Sequence, residues 1–335
     1  MRPVKFSVVL DWLKSEGFVS GDTALGSVPD FEIEGFASVD LAGPADASFW
    51  VGDTVKNETN ANGFASSLLG KIHAGLLFVP RGLGATCSGN VPGVRCLVPV
   101  EHPYHAMVCF LEKFAVEPAG APFVALSARV HASAVVEGSV GENAVVGPGC
   151  VIMRGATLGA GCVLEANVTV YPNVVVGEGC VFQAGAVIGS RGFGFYEYGG
   201  VRRPVPHPAG VRIGRDCSFG ANAVVAAGFI TPTTIGDHCH FDSFVQIAHN
   251  CRLGNNIYMA SQSAVAGSVI VEDDVEFAGG AKAAGHLTIG KGARIAAKAG
   301  VTKSVPAGRT VSGFPAEEIS RWRRSMVRLR QMGEK

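Results

Sequence analysis

Residues 242–286 contain side chains that together suit proton transfer to or from a nucleophile. Asp242, His249 and His286 are the titratable members of this set, and glycines such as Gly267 lie between them. A neutral imidazole accepts a proton from an amine or hydroxyl, a carboxylate orients that imidazole, and a glycine N–H donates to a developing oxyanion. The set predicts acyl transfer if the fold brings these residues together.

Two other roles for the histidines are open on the residues alone. A histidine satisfied within the core is the commoner case for an isolated imidazole. A metal site would recruit His238, His240, His249 and His286, but His238 and His240 alternate along a strand and so face opposite sides. The nine cysteines show no CxxC pair, which supports neither a zinc ribbon nor a disulfide framework. We therefore predict no metal site.

A six-residue repeat predicts the scaffold that positions these residues. An aliphatic residue followed by glycine recurs in multiples of six on both sides of one interruption, at Val140, Val146, Leu158, Val176 and Ile188, and again at Ile235, Leu253 and Ile289. This period is typical of a parallel β-helix, in which three units close one coil. Residues 18 apart then stack at the spacing of neighbouring strands, about 4.8 Å. His249, Gly267 and Gly285 would form one column, with His286 beside it and Asp242 on the preceding face.

The other segments lack this repeat. The stretches "VVLDWLKSEGF", "GLLFVP" and "RCLVPV" indicate a short amphipathic helix that ends at Gly17 and two buried strands, which together predict a small α/β domain. The insertion at 190–210 interrupts the repeat and is either a solvated loop or a lid that binds a ligand. We predict an α/β domain, a linker, a β-helix and a C-terminal helix at residues 1–115, 116–128, 129–314 and 315–335.

Composition excludes several classes of function. The 28 Lys+Arg balance 28 Asp+Glu, so no global basic field would attract nucleic acid or an anionic membrane. The apolar runs are too short for a bilayer span or a signal-peptide core, which predicts a cytoplasmic protein without stable membrane insertion. The C-terminal helix is locally basic and would face either solvent or an acidic protein partner.

Six motifs carry a resemblance to a known family. They are "GFGF" at 192–195, "QIAHN" at 246–250, "AVAGS" at 264–268, "GGAKAAGH" at 279–286, "GVTKS" at 300–304 and "SGFPA" at 312–316. In this order and spacing the sequence resembles the UDP-3-O-(3-hydroxyacyl)glucosamine N-acyltransferases of lipid A synthesis over essentially the whole chain. The first 115 residues distinguish it from the sister O-acyltransferases, which begin with the β-helix. The resemblance implies a left-handed β-helix, a homotrimer with active sites between subunits, acyl carrier protein as thioester donor, and no cofactor.

The resemblance also implies roles for individual residues. His249 matches the family's general base, Asp242 the acid that orients it, Gly267 the oxyanion donor and His286 the second active-site histidine. Substrate contacts and the docking of acyl carrier protein fall on two further sets: Phe49 (the aromatic that stacks on uracil), Trp50, Phe193, Gln246, Asn250 and Gly285 for the substrate, and Arg321, Arg323, Arg324 and Arg328 for the carrier.

The sequence departs from the family around the acceptor site. Ala226 and Ala227 replace an Asp-Arg pair, and the other replacements are Arg191 for an acid, Gly52 for an asparagine and Val55 for an aromatic residue. The leading prediction is N-acyl transfer from acyl carrier protein to the 2-amine of a UDP-3-O-acylglucosamine. Two alternatives stay open: an N-acetyltransferase that uses acetyl-CoA and another nucleotide amino sugar, and a catalytically degenerate trimer that binds a nucleotide sugar or carrier protein.

Overall fold

The protein is mainly β in the computed structural model, which describes residues 1–19, 28–51, 72–81, 93–115, 121–313 and 319–333. The helices in these ranges are α1 (Phe6–Ser15), α2 (Pro103–Phe114) and α3 (Ile319–Gly333). None of these three helices combines the length and the apolar composition that a membrane span requires. The cytoplasmic location stays a prediction.

Residues 121–313 form a parallel β-helix with three sheets, which confirms the predicted fold class. The first sheet has ten strands: Arg129–Val130, Val145–Val146, Val163–Leu164, Val181–Phe182, Ser218–Phe219, His240–Phe241, Tyr258–Met259, Glu276–Phe277, Arg294–Ile295 and Thr310–Val311. The second has nine: Val135–Val136, Val151–Ile152, Thr169–Val170, Val187–Ser190, Val224–Ala226, Gln246–Ile247, Ala264–Val265, Lys282–Ala283 and Gly300–Val301. The third has eight: Ser139–Val140, Thr157–Leu158, Val174–Val176, Val211–Ile213, Thr233–Ile235, Arg252–Leu253, Ile270–Val271 and Thr288–Ile289.

The strand register follows the predicted 18-residue coil. Gln246 pairs with Ala264, and Ala264 pairs with Lys282, so the coils that carry residues 249, 267 and 285 stack directly. The aliphatic residues of the repeat are buried and fill the inside of the coils. A stack of this kind buries apolar surface only against neighbouring coils, so each coil stabilises the next.

Cysteines form part of the same interior. Seven of the eight described cysteines are buried. The Cys180 and Cys217 thiols each donate a hydrogen bond to a glycine carbonyl oxygen of the next coil, at a distance of 3.2 Å in both cases. The hydrogen bond to one neighbouring cysteine lowers the pKa of each thiol, but the bond to the other neighbour and burial outweigh it. The pKa of each is therefore raised to about 12. These cysteines therefore pack as neutral side chains.

Two insertions change the length of the coil. Val174 pairs with Val211, 37 residues away instead of 18, because residues 190–210 leave the solenoid. Val211 in turn pairs with Thr233, 22 residues away, because four extra residues form a loop near Gly228–Pro232. The interruption of the repeat predicts the first insertion, whereas the second is not predicted. Both emerge at the side of the solenoid where His249 lies.

The N-terminal part forms a small parallel sheet with helices packed against it. Its four strands are Gly35–Phe36, Asp46–Phe49, Ala74–Pro80 and Val94–Val100, and a separate antiparallel pair consists of Val4–Lys5 and Glu32–Ile33. The predicted helix and both predicted strands are present, and Gly17 follows α1 with φ +75°. Helix α2 is not among the predicted elements, although Pro103 is a typical first residue of a helix.

The ends of the predicted segments lie partly outside the described residues. Residues 116–120 of the linker and residues 314–318 before α3 are outside the described residues. The boundaries at 115, 128 and 314 therefore stay a proposal. Helix α3 buries none of its residues. Its apolar side chains, including Trp322 and Leu329, are about half exposed. A helix of this length is marginal in water without a packing partner.

Candidate functional site

A cavity of about 680 Å³ lies where the second insertion, the arm formed by residues 190–210 and the N-terminal part meet the solenoid. Four of the residues predicted for the site line it: Phe193, His249, Asn250 and His286. The other lining groups come from all three parts of the chain and include Ser38, Asp40, Tyr104, His207, Phe229, Thr231, Thr234, Arg252 and Ser268.

The orientation of His249 is set by Asn250. The Asn250 side-chain Nδ2 donates to the Thr231 carbonyl oxygen at 2.9 Å, so its Oδ1 faces the other way. That Oδ1 accepts a hydrogen bond from the Phe229 N–H at 3.3 Å and lies 3.1 Å from His249 Nδ1. Because an amide oxygen only accepts, Nδ1 of His249 carries the proton. The lone pair of the neutral ring is therefore on Nε2, the atom available to take a proton from a substrate.

Gly267 lies directly against the imidazole of His249. A Cβ atom at position 267 would come within 2.7 Å of His249 Cε1 and 2.8 Å of Nε2, closer than real side chains pack. The absence of a side chain therefore makes room for the ring. Among the described residues, no acceptor is found for the Gly267 N–H. A backbone donor of this kind, on a residue that contacts a base, is a group that can donate to an oxyanion.

His286 lies in the third of three stacked turns, two coils after the turn that carries His249 and Asn250. Asn250, Ser268 and His286 occupy equivalent turn positions with φ near +60°. The Ser268 N–H donates to the His249 carbonyl oxygen at 3.0 Å, and the His286 N–H donates to the Gly267 carbonyl oxygen at 3.1 Å. These bonds join the three coils at the edge of the cavity. The His286 side chain is exposed and lines that edge.

His207 is a second histidine beside His249 that the sequence did not identify. The two rings are 5.1 Å apart between centroids, at an interplanar angle of 60°. Burial, with His249 adding to it, lowers the pKa of His207 to about 4, so its ring is neutral at physiological pH. The only signal in the sequence was its position in "PHP" within the insertion, where no repeat predicts a location.

Aromatic side chains connect the N-terminal part to this cavity. Phe49 packs edge-on against Tyr104 with centroids 5.2 Å apart, and Tyr104 lies 5.5 Å from Phe229. Tyr104 and Phe229 line the cavity, so Phe49 lies one ring behind its wall. Trp50, the residue after the strand that ends at Phe49, is 7% exposed and packs in a different cluster with Ile72 and Leu77. The structure therefore does not place Trp50 in the cavity.

Asp242 lies in a different groove from His249 within the chain. Its carboxylate accepts hydrogen bonds from the Ser243 N–H at 2.7 Å and the Ser261 N–H at 3.1 Å. It lines a groove of about 790 Å³ on the first sheet, together with His240 and Tyr258. In the described part of one chain, the partner of His249 Nδ1 is therefore Asn250 and not Asp242.

The remaining residues predicted to contact the substrate do not line the cavity. Gln246 is exposed on the second sheet and Gly285 stacks above Gly267, and neither lines the cavity. Ala226 and Ala227 are buried, and the Ala226 carbonyl oxygen accepts a hydrogen bond from the Thr233 hydroxyl at 2.7 Å. Gly52 and Val55 lie outside the described residues.

Charged groups around the site are few. Arg252 is the one arginine or lysine among the residues that line the cavity, and its side chain is exposed. No carboxylate among the described residues lies within 4.0 Å of its guanidinium. Within the same described ranges, no group of three or more His, Cys, Asp or Glu side chains could hold a metal ion. The four arginines predicted to dock a carrier, Arg321, Arg323, Arg324 and Arg328, are exposed on α3.

Comparison with protein families identifies the repeats. The model described as bacterial transferase hexapeptide (six repeats) matches residues 138–170 and 155–190, and the hexapeptide repeat of succinyl-transferase matches residues 210–242. A solved structure of the UDP-N-acetylglucosamine acyltransferase from Francisella novicida is 25% identical, with a TM-score of 0.48, and the match covers 60% of this chain and 73% of that one.

Three curated relatives with the same name illustrate the resemblance. UDP-3-O-acylglucosamine N-acyltransferase from Caulobacter sp. (strain K31) is 48% identical over 33% of this chain and 33% of its own. The relatives of that name from Methylobacterium sp. (strain 4-46) and Janthinobacterium sp. (strain Marseille) are 36% and 35% identical, over 43% and 57% of this chain and 41% and 52% of their own. The chain thus matches a third to a half of the length of these relatives. It carries transferase hexapeptide repeats and resembles the UDP-3-O-acylglucosamine N-acyltransferases, as its motifs predict.

Proposed function

We propose that the protein is an N-acyltransferase that moves an acyl chain from a thioester to the amine of a UDP-linked amino sugar. One observation carries this proposal: the His249 ring, whose Nδ1 is fixed by Asn250, packs against Gly267, and the Gly267 N–H has no acceptor among the described residues. A base and an oxyanion donor in contact are the two groups that acyl transfer needs. The names of the relatives supply the substrate class.

The reaction follows from these positions. The sugar amine attacks the thioester carbonyl carbon, a new C–N bond forms, and the carbonyl oxygen becomes an oxyanion that the Gly267 N–H stabilises. His249 Nε2 removes the proton from the attacking nitrogen. The tetrahedral intermediate then breaks its C–S bond, and the imidazolium returns the proton to the departing thiolate. Products are an amide and a thiol, and the base is regenerated.

Arg252 supports an anionic acceptor. Its guanidinium lines the cavity with no carboxylate of the described residues within 4.0 Å, and Thr234 is its partner on the adjacent strand. An arginine in this situation binds phosphate oxygens through charge-assisted hydrogen bonds. We assign it to the diphosphate of the UDP sugar. Asp40 lines the same cavity and is suited to accept from a sugar hydroxyl.

Helix α3 supports an acyl carrier protein as the donor. Its exposed arginines give a basic surface, and an acidic carrier protein has the complementary charge. Trp322 and Leu329 lie seven residues apart and provide an apolar contact on the helix. Both features suit an interface that forms and dissociates during turnover.

A homotrimer with sites between subunits would bring Asp242 to His249. The two residues line separate grooves in one chain, so the predicted pair requires Asp242 of one copy and His249 of the next. Mixed trimers of His249→Ala and Asp242→Ala chains test this arrangement. Random mixing leaves both residues intact at roughly a quarter of the sites, and activity should return to about that fraction. Mixed trimers with no activity would refute the cross-subunit pair.

The overall proposal is tested by product analysis. Purified protein is incubated with UDP-glucosamine derivatives and long-chain acyl carrier protein, and the products are identified by mass spectrometry. His249→Ala should lower turnover by about three orders of magnitude while the protein stays folded, because loss of the base removes general catalysis. His238→Ala is a matched control, since His238 is exposed at a distant turn with Asp216 as its neighbour. Normal turnover by His249→Ala would remove His249 from the role of base.

A second function, with another acceptor and another donor, is retained because of one observation. Ala226 and Ala227 are buried and uncharged where the family has an Asp-Arg pair, so the acceptor contacts of the family are changed at this point. An N-acetyltransferase that uses acetyl-CoA and another nucleotide amino sugar would share the same base and donor. Preference for acetyl-CoA over acyl carrier protein in the same assay would establish it. Single-turnover transfer with either donor would exclude a trimer that only binds.

A further inference from the structure

The arm of residues 190–210 contacts the catalytic corner through two neighbouring segments. Its hairpin pairs Phe195–Tyr198 with Val201–Pro204 in antiparallel fashion. The Val205 N–H then donates to the Gly194 carbonyl oxygen at 2.9 Å, so the segments before and after the hairpin continue side by side. One of these segments carries Gly192 and the other carries His207. Both reach His249.

Gly192 and His207 enclose one side of the His249 ring. A Cβ atom at position 192 would lie 2.6 Å from His249 Cβ and 2.7 Å from His207 Nε2, so only glycine fits between the two imidazoles. His207 Nδ1 is buried and has no hydrogen-bond partner in the described structure. A buried polar atom without a partner costs free energy, so the His207 ring contributes here through its shape and not through Nδ1.

The far end of the arm packs on α2. Tyr198 stacks on His105 with ring centroids 3.6 Å apart, and the Tyr196 hydroxyl lies 2.8 Å from His105 Nδ1. Val205, next to the His207 segment, is buried in the hydrophobic cluster of the N-terminal part. The Pro208 carbonyl oxygen, on the other side of His207, accepts a hydrogen bond from Asn173 Nδ2 of the solenoid at 2.9 Å. The His207 segment is therefore held from two sides, by the N-terminal part and by the solenoid.

We propose that His207 is a positioning residue for the base: its ring forms the side wall that holds the His249 imidazole against Gly267, and the contacts of the arm with the N-terminal part and with Asn173 fix that wall. Asn250 fixes Nδ1 of His249, and Gly267 supports the ring from below. His207 closes the remaining side, at a centroid distance of 5.1 Å. Its neutral ring adds no like charge when His249 takes a proton. The inference rests on the proposed function for its kinetic effect only.

Kinetics separate this role from substrate binding. His207→Ala should lower kcat about tenfold, because a base that samples a second rotamer is misplaced by an ångström or more for part of the time. KM for both substrates should change less than about twofold, because the ring is a wall and not a ligand. His207→Phe should restore kcat to within about threefold, since it keeps the ring and removes the nitrogens. His131→Ala, at an exposed histidine on an early coil, is the control.

A crystallographic readout does not depend on activity. The His249 ring should occupy two orientations in His207→Ala and one orientation in His207→Phe and in the unaltered protein. Tyr196→Phe, which removes the hydroxyl contact with His105, should lower kcat about twofold to threefold through the arm alone. A kcat for His207→Ala within twofold of the unaltered protein, a single unchanged His249 orientation, or failure of His207→Phe to recover activity would each overturn the proposal. If the protein transfers no acyl group at all, the orientations still decide the positioning role.

Discussion

Gly267→Ala offers a direct test of the contact between the base and the backbone. The added methyl group would lie 2.7 Å from His249 Cε1 and 2.8 Å from Nε2. Ordinary carbon contacts begin near 3.4 Å, so the ring must move by about 0.7 Å. Gly267 does not have a positive φ, and alanine therefore fits its backbone conformation. The N–H of residue 267 is retained, which isolates the displacement of the base from the loss of the donor.

A displacement of this size has a predictable cost. Misplacement of a catalytic group by about 1 Å lowers turnover roughly a hundredfold, which corresponds to about 2.7 kcal/mol of activation free energy. Steady-state kinetics should therefore show kcat lower by one to two orders of magnitude, with an unchanged melting temperature. Gly279→Ala is the matched control, because a Cβ there meets only the Ser261 carbonyl oxygen at 3.7 Å. Full activity of a folded Gly267→Ala protein would show that His249 does not act from its position over Gly267.

Four further predictions concern single features. Asn250→Ala should lower kcat, measured at saturating substrates, about a hundredfold. Without the Asn250 oxygen, nothing keeps the proton of the neutral His249 ring on Nδ1. Arg252→Gln should raise KM for the UDP sugar about tenfold or more, with KM for the acyl donor unchanged, since a charge-assisted contact to phosphate is lost. The lowered pKa of His207 means that the unfolded chain binds its proton first, so stability should fall as pH decreases from about 6.5 to 4; urea unfolding of His207→Gln should show a weaker dependence in that window. Arg324→Glu together with Arg328→Glu should raise KM for acyl carrier protein at low salt, and added salt should reduce the difference from the unaltered protein.

The solenoid could be predicted because its geometry repeats. A period of six residues fixes which side chains face inward, and an 18-residue coil fixes which residues stack, so the repeat by itself puts residues 249, 267 and 285 in one column. Local rules also predict α1 with Gly17 after it, and the strands at Ala74–Pro80 and Val94–Val100. Each of these follows from short-range periodicity.

What departs from the repeat could not be placed in this way. His207 and Phe229 are on insertions whose paths depend on packing against the N-terminal part, and no period relates them to His249. The interval of 22 residues between Ile213 and Ile235 was the signal for the second insertion. The side-chain contact between His249 and Asn250 depends on a turn residue with positive φ, which spacing alone does not determine.

The stacking of coils also means that distances along the solenoid axis follow from the number of coils. Each coil adds about 4.8 Å along the solenoid axis, so the separation between the base and the segment that precedes α3 changes only in steps of that size. Adding or deleting 18 residues after Ile289 would move the start of α3 by one step and leave the corner at His249 unchanged. Removal of six or twelve residues from the regular coils would turn every later corner to a different face. The number of coils after the site therefore sets the distance between the start of α3 and His249.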